Sequence, residues 1–176
     1  MCNRIIVCGG NGAGKSTLGE NLAKELNYKF MDIEDYYFPK TGTDYIYSNV
    51  RSREEASALL LEDMKRHGNL ILASVKGDYG DEVVSMFTCA IFIRAPKDIR
   101  LKRVRERAFR KFGDRILPNG DLYEKEKRFY DMVAHRSEQD VEDWLKSICV
   151  PIIEVDGTEP ISYNMDVIIR LLNDCH

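Results

Sequence analysis

The sequence lacks the features that mark secreted and membrane proteins. No apolar run in its 176 residues approaches the roughly 20 residues that a membrane-spanning helix needs. Its five cysteines are an odd number, are widely scattered and include no C-x-x-C pair, which argues against a disulfide framework and a zinc site. The formal net charge of −3 gives no reason to expect nucleic acid as a general partner. We therefore expect a cytoplasmic protein without a membrane partner.

Short apolar runs alternate with segments of helical periodicity along the whole chain. Because such alternation is typical of a parallel sheet covered by helices on both faces, it predicts an α/β fold in one domain, residues 1–176. The predicted strands are 4–8, 28–33, 70–73, 89–93 and 151–155. The predicted helices are 15–27, 54–67, 96–112, two stretches that end near 146, and 161–172.

A phosphate-binding loop lies between the first strand and the first helix. Residues 9–16 fit G-x-x-x-x-G-K-[ST] at every fixed position. Glycines let successive N–H groups surround a phosphate, and the helix N-terminus adds its positive dipole end. A dinucleotide-binding loop is excluded because Lys15 stands where that motif needs glycine. The predicted nucleotide-binding residues here are Gly10, Asn11, Gly12, Ala13, Gly14, Lys15, Ser16 and Thr17.

These residues predict a three-layer P-loop NTPase fold that binds ATP and Mg²⁺. Lys15 would reach the β- and γ-phosphates, and the Ser16 hydroxyl would take a metal position. The sequence has no N-K-x-D or D-x-x-G signature of GTPases, no L-S-G-G-Q segment of transporters, and no strand that ends in the Asp-Glu pair usual in motor ATPases. These absences argue against a GTPase, a transporter ATPase and a motor ATPase, and the P-loop alone does not specify the reaction.

An acidic cluster, Asp32-Ile33-Glu34-Asp35, ends the second predicted strand. Alternate residues of a strand share a face, so we expect Asp32 and Glu34 to project together toward the ligand-binding end of the sheet. Asp32 would hold Mg²⁺ through water, and Glu34 or Asp35 would orient or deprotonate an acceptor hydroxyl. The alternative is that these acids cap a helix in the following loop.

Three segments carry a resemblance to known small-molecule kinases. The spacing of Lys15, Asp32 and Glu34 resembles that of shikimate kinases. Residues 73–81 resemble the segment after strand three of gluconate kinases and match it at Lys76, Tyr79 and Asp81. Residues 155–158 resemble the adenine-bordering loop of adenylate kinases, which implies that Gly157 and Thr158 contact the nucleotide. The resemblance covers nearly the whole chain, and no single family fits throughout.

A basic helix follows the fourth strand. Periodicity puts its apolar residues on one side and assigns four arginines to an exposed face. The apolar residues are Leu101, Val104, Ala108 and Phe112, and the arginines are Arg100, Arg103, Arg107 and Arg110. Resemblance to small kinases implies that residues 97–136 form a lid, with Arg103 against the adenine and Arg107 on phosphate. A solvated helix and an RNA-binding face are the alternatives.

The acceptor is expected to bind an insert at residues 36–68. Tyr36 offers a ring with a hydroxyl group, and Lys76 follows a strand at the same end of the sheet. Arg51 and Arg53 would hold an anionic acceptor, or they would simply precede and open a helix capped by Ser52. Both interpretations stay open.

The leading hypothesis is Mg²⁺-dependent transfer of the ATP γ-phosphoryl group to a hydroxyl of a small metabolite such as a sugar acid or alcohol. A nucleoside or nucleotide kinase is the alternative enzyme. An ATP-binding regulatory or nucleic-acid-associated module without transfer activity is the alternative outside enzymes. The predicted catalytic residues are Lys15, Asp32, Glu34, Asp35, Lys76 and Arg107.

Overall fold

A parallel five-stranded sheet in the order β2-β3-β1-β4-β5 forms the centre of the fold. The computed structural model describes residues 3–39, 45 and 47–174. Parts of the predicted insert, residues 40–44 and 46, and two of the cysteines, Cys2 and Cys175, lie outside the described residues. The strands are β1 (Arg4–Cys8), β2 (Lys29–Asp32), β3 (Leu70–Ala73), β4 (Cys89–Arg94) and β5 (Ile152–Asp156).

Helices cover both faces of this sheet. They are α1 (Lys15–Leu26), α2 (Ile33–Tyr37), α3 (Arg53–Arg66), α4 (Asp81–Met86), α5 (Lys97–Phe112), α6 (Tyr123–His135), α7 (Gln139–Ser147) and α8 (Ile161–Asp174), with a 3₁₀ turn at Gly113–Ile116. Within the described ranges, no helix is both long and apolar enough to cross a membrane.

Two hydrophobic clusters, one on each face of the sheet, form the core. Successive residues of a strand point to opposite faces, so Ile6 packs with α3, α4 and α7, and Ile5 packs with α1 and α8. Leu60 and Trp144 contribute to the first cluster, and Leu22 contributes to the second. The predicted three-layer α/β fold is confirmed, and all five predicted strands are present.

The boundary between β2 and α2 differs from the expectation. The strand ends at Asp32 and a helix begins at Ile33, so the prediction that Asp32 and Glu34 share a strand face is wrong. The Asp32 carboxylate accepts a hydrogen bond from the Glu34 N–H at 3.0 Å and caps α2. Aspartate competes in this way with continued strand pairing, and it places Glu34 in the first turn of a helix.

The short helix α4 was not predicted. Its six residues bury only Val83, so the segment has no repeated apolar spacing by which periodicity could identify a helix.

Candidate active site

The phosphate loop joins β1 to α1 and is closed by its own lysine. Lys15 Nζ donates to the Gly10 carbonyl at 2.9 Å, and the Ala13 N–H donates to the same oxygen at 3.2 Å. Gly12 and Gly14 have φ values of 82° and 109°, which favour glycine. The N-terminus of α1 directly follows the loop at Lys15, an arrangement that can bind phosphate.

Charges from three segments surround the Lys15 amine. Burial lowers the pKa of Lys15 to about 8, while Asp32 raises it, Arg107 lowers it and Glu34 raises it. The fold thus brings four of the predicted catalytic residues into electrostatic contact. The Arg107 side chain is exposed, and its charge contributes to the lowered pKa of Lys15 after burial.

The residues beside the loop fit a magnesium ion. Ser16 is exposed in the first turn of α1, and the Asp32 charge acts on Lys15 next to it. The part of the chain that the structure describes has no cluster of three or more His, Cys, Asp or Glu side chains. A serine hydroxyl and one carboxylate suit Mg²⁺, which keeps several water ligands and is usually bound by one or two carboxylates together with substrate phosphates.

A cavity of about 270 Å³ lies beside the loop where an adenine would be expected. Its lining includes Thr17, Arg103 and Gly157, and Arg103 Nη1 donates to the Gly157 carbonyl at 2.9 Å. A Cβ atom at Gly157 would lie 2.8 Å from the Ala13 carbonyl oxygen, so only glycine allows this approach. Thr158 is outside the lining, and its hydroxyl donates to Asp156 at 2.6 Å.

Arg100 is not on the exposed face of α5 that periodicity assigned to it. Its side chain is buried under the phosphate loop, with 4% of the residue exposed. The apolar side was predicted correctly, because Val104 is buried and Leu101 and Ala108 are half-buried. Of the other three arginines of that face, Arg107 and Arg110 are exposed and Arg103 is half-buried.

A second cavity, of about 480 Å³, adjoins the phosphate loop on the side of α2 and is the candidate acceptor site. It is lined by Asn11, Ile33, Glu34, Tyr37, Phe38, Arg53, Ser74, Val75, Lys76, Asp78, Tyr79, Phe129, Met132, Arg136, Ser137, Asp140 and Val141. Four predicted site residues therefore line one cavity: Asn11, Glu34, Arg53 and Lys76.

Two predicted acceptor residues lie outside this lining. The Tyr36 hydroxyl donates to Asp63 of α3 at 2.8 Å, and Arg51 Nη1 donates to the Tyr36 carbonyl at 2.8 Å. Both residues connect α2 to the segment around α3, and the neighbouring Tyr37 lines the cavity in place of Tyr36.

The two interpretations of Arg53 are compatible. Ser52 and Glu55 form a capping box at the start of α3, so Arg53 does open a capped helix. Its guanidinium also pairs with Asp78 at 3.2 Å, and Lys76 pairs with the same carboxylate at 3.0 Å. One acid thus holds two cations at the rim of the cavity.

Arg136, which sequence reasoning missed, adds a further cation to the cavity. Its Nη1 donates to Asn11 Oδ1 in the phosphate loop at 2.9 Å. Arg136 follows α6 in the chain, 125 residues from Asn11. No local pattern indicated that this arginine returns to the first loop.

Aromatic side chains connect the predicted insert to α5 and α6 beside Glu34. Tyr47 stacks on Phe129 of α6 at a centroid distance of 6.3 Å and meets Phe112 of α5 edge-on at 6.4 Å. Burial raises the pKa of Tyr47 to about 12, with a further increase from Glu34. A cavity of about 430 Å³ that is lined by Tyr47 and Phe129 also reaches Glu34, so Glu34 lines two cavities.

A parallel sheet with a P-loop, the basic helix α5 and a separate cavity beside the loop defines a P-loop phosphotransferase of the small-molecule kinase superfamily. The chain belongs to the AAA_18 family, described as an AAA domain, whose profile matches residues 5–144. It is 29% identical over 181 residues to the uncharacterized protein YqaC of Bacillus subtilis (strain 168), a match that covers 98% of this chain and 99% of that protein.

Kinases are among the chains that it resembles. It is 30% identical over 153 residues to the shikimate kinase of Clostridium botulinum (strain Eklund 17B / Type B), which covers 77% of this chain and 87% of that enzyme. The crystal structure of the shikimate kinase from Bacteroides thetaiotaomicron matches the fold with a TM-score of 0.63 at 18% identity, over 98% of this chain and 99% of that one. These matches confirm the superfamily that the sequence predicted.

Proposed function

We propose that the protein transfers the γ-phosphoryl group of Mg·ATP to a hydroxyl of a small anionic metabolite such as a sugar acid. The observation that carries the proposal is the position of Glu34. Its carboxylate acts on Lys15 of the phosphate loop and also lines the cavity of about 480 Å³ beside that loop. A group between donor and acceptor can orient or deprotonate the attacking hydroxyl.

On the donor side, Lys15 and Arg107 supply positive charge to the transferred group. A transferring phosphoryl group spreads negative charge over three oxygens, and fixed cations lower the barrier by binding that charge. Ser16 and Asp32 would hold Mg²⁺, which when bound neutralises charge on the β- and γ-phosphates. Arg103 and Gly157 border the adenine cavity, and Thr158 holds the turn next to it.

On the acceptor side, the structure favours Glu34 over Asp35 as the group that handles the hydroxyl. Asp35 is exposed. The pKa of the Tyr36 phenol is raised by burial and by Asp63, and Asp35 adds to that increase, whereas the carboxylates whose charges act on Lys15 are those of Asp32 and Glu34. The proposed base is therefore Glu34.

The cations of the cavity favour an anionic acceptor. The lining holds three cations and three acids, Glu34, Asp78 and Asp140. Two of the cations, Lys76 and Arg53, share the carboxylate of Asp78, and Arg136 hydrogen-bonds the neutral side-chain amide of Asn11. A carboxylate or phosphate on the acceptor would complete these contacts with charge-assisted hydrogen bonds. A volume of about 480 Å³ is in the usual range for small-metabolite sites.

The test is a panel of acceptors incubated with γ-labelled ATP and Mg²⁺. The panel contains sugar acids, neutral sugars and alcohols, nucleosides and nucleoside monophosphates. We expect a labelled sugar acid or a similar anionic hydroxy compound. Glu34→Gln should lower kcat about 100-fold or more, while Glu25→Gln, an exposed change on α1, should keep wild-type turnover.

The same panel separates the alternatives. Labelling of a nucleoside or nucleoside monophosphate alone would replace the proposal by a nucleoside or nucleotide kinase. ATP binding without transfer to any member of the panel would favour a regulatory module. Full activity in Glu34→Gln would refute the assignment of the base.

A further inference from the structure

Arg100 is a buried cation that has no place in the transfer chemistry proposed above. It lies in the first turn of α5, and only 4% of the residue is exposed. A guanidinium removed from water is stable only when its donors are satisfied. The partners of Arg100 therefore indicate what it is for.

Three segments of the chain satisfy this guanidinium. Nε donates to the Ala95 carbonyl after β4 at 3.1 Å, and Nη1 donates to the Asn11 carbonyl of the phosphate loop at 3.3 Å. Nη2 pairs with the Glu138 carboxylate, at the start of α7, at 2.7 Å. The side chain thus connects the sheet, the loop and the segment between α6 and α7.

The phosphate loop rests directly on Arg100. A Cβ atom added at Gly10 would overlap the guanidinium, and one added at Gly12 would overlap the Arg100 carbonyl oxygen. The two glycines are therefore needed for close approach as well as for phosphate binding. Because the loop backbone lies directly against Arg100, the position of Arg100 sets the distance between the loop and α5.

A second arginine meets the same residue of the loop. Asn11 is held through its carbonyl by Arg100, and its side chain accepts a hydrogen bond from Arg136 at 2.9 Å. Arg136 lines the acceptor cavity, and Glu138, two residues further on, is paired with Arg100. The donor loop and the α6–α7 junction, residues 136–138, are consequently fixed to each other.

We propose that Arg100 is a positioning residue that sets the phosphate loop and the α6–α7 junction in register, so that the donor phosphates and the acceptor cavity have a fixed separation. The inference rests on the proposed function. Arginine is required because a planar fork with several donors can satisfy three partners at once, whereas a lysine ammonium is a compact point charge.

The test compares Arg100→Lys and Arg100→Met with Lys102→Met, an exposed substitution on the same helix. Two quantities are measured: the thermal midpoint without ligand, and the Kd of a non-hydrolysable Mg·ATP analogue by calorimetry. Arg100→Met should lower both the midpoint and the affinity. Arg100→Lys should recover much of the midpoint by pairing with Glu138, yet bind the analogue at least tenfold more weakly than the wild type. Lys102→Met should match the wild type in both.

The inference would be overturned if Arg100→Lys bound the analogue as tightly as the wild type. It would also be overturned if the affinity of Arg100→Lys for the analogue recovered to the same extent as its thermal midpoint. Either result would make Arg100 a structural residue only. Hydrogen exchange without ligand gives an independent decision. Residues 10–14 and 136–141 should both exchange faster in Arg100→Lys, with α8 unchanged; unchanged exchange in either segment would refute the coupling. If the wild type did not bind the Mg·ATP analogue, the proposed function would be refuted. The hydrogen-exchange experiment would still decide the role of Arg100.

Discussion

Replacing Lys15 by methionine should stabilise the ligand-free protein while it abolishes the binding of Mg·ATP. The lysine amine is placed for phosphate, and without phosphate its charge is held in a partly buried site beside Arg107. Methionine keeps most of the side-chain volume and removes the charge. We therefore expect Lys15 to favour nucleotide binding and to lower the stability of the ligand-free protein.

The magnitude follows from the pKa. Burial lowers the pKa of Lys15 from 10.5 to about 8, and one pKa unit corresponds to about 1.4 kcal/mol. Keeping this amine charged in the folded protein at pH 7 therefore costs about 3 kcal/mol relative to the unfolded chain. Methionine also loses the hydrogen bond to the Gly10 carbonyl, worth about 1 kcal/mol. We expect a net gain of about 2 kcal/mol, or about 4 to 8 °C in Tm for a chain of this size.

The gain should depend on pH with a defined sign. Because the pKa of Lys15 is lower in the folded state, the unfolded chain binds more protons between about pH 8 and pH 10.5, and wild-type stability rises with pH across that window. The free-energy cost of keeping the Lys15 amine charged in the folded protein is fully present below about pH 8 and absent above about pH 10.5. At pH 10 less than about 1 kcal/mol of it should remain.

Urea unfolding followed by tryptophan fluorescence measures the effect, since the single tryptophan, Trp144, is buried in the core. Wild type, Lys15→Met and the exposed control Lys102→Met are compared at pH 7 and pH 10. A less stable Lys15→Met protein at pH 7 would refute the reasoning. So would a stability gain of the same size at both pH values.

Three further substitutions test other parts of the site. Gly12→Ala should weaken binding of a Mg·ATP analogue at least tenfold by calorimetry, because the residue has a φ of 82° and its new Cβ would overlap the Arg100 carbonyl. Ser52→Ala should lower the free energy of unfolding by about 1 kcal/mol, because it removes the capping box with Glu55, and it should leave nucleotide affinity unchanged. Arg107→Met should lower kcat about 100-fold, with a much smaller change in the KM for ATP, if its charge acts mainly on the transferred group.

Each of these expectations has a contrary result. Wild-type nucleotide affinity in Gly12→Ala would show that the loop does not depend on close contact with α5. A Ser52→Ala protein of unchanged stability would show that the cap contributes little to α3. If Arg107→Met kept its kcat and the rise in KM accounted for the whole loss of kcat/KM, that arginine would be a binding group only.

Local pattern was sufficient for the strand, loop and helix that contain Lys15. The strand–loop–helix around Lys15 was predicted correctly because glycine spacing, a buried strand and an amphipathic helix are all properties of neighbouring residues. The lining of the candidate acceptor cavity was predicted only in part. Glu34, Arg53 and Lys76 line the cavity, whereas Tyr36 and Arg51 connect α2 to α3, because their direction depends on where α2 begins.

The sequence by itself determined the fold class, the phosphate loop and the basic helix, since each depends on residue types at short, regular separations. Only the tertiary structure decided that Arg100 supports the loop and that Arg136 reaches Asn11. These contacts join residues 89 and 125 positions apart, and periodicity alone places every arginine of a basic helix outside. A buried guanidinium is stable only if distant segments supply its partners, and that condition becomes visible when the chain is folded.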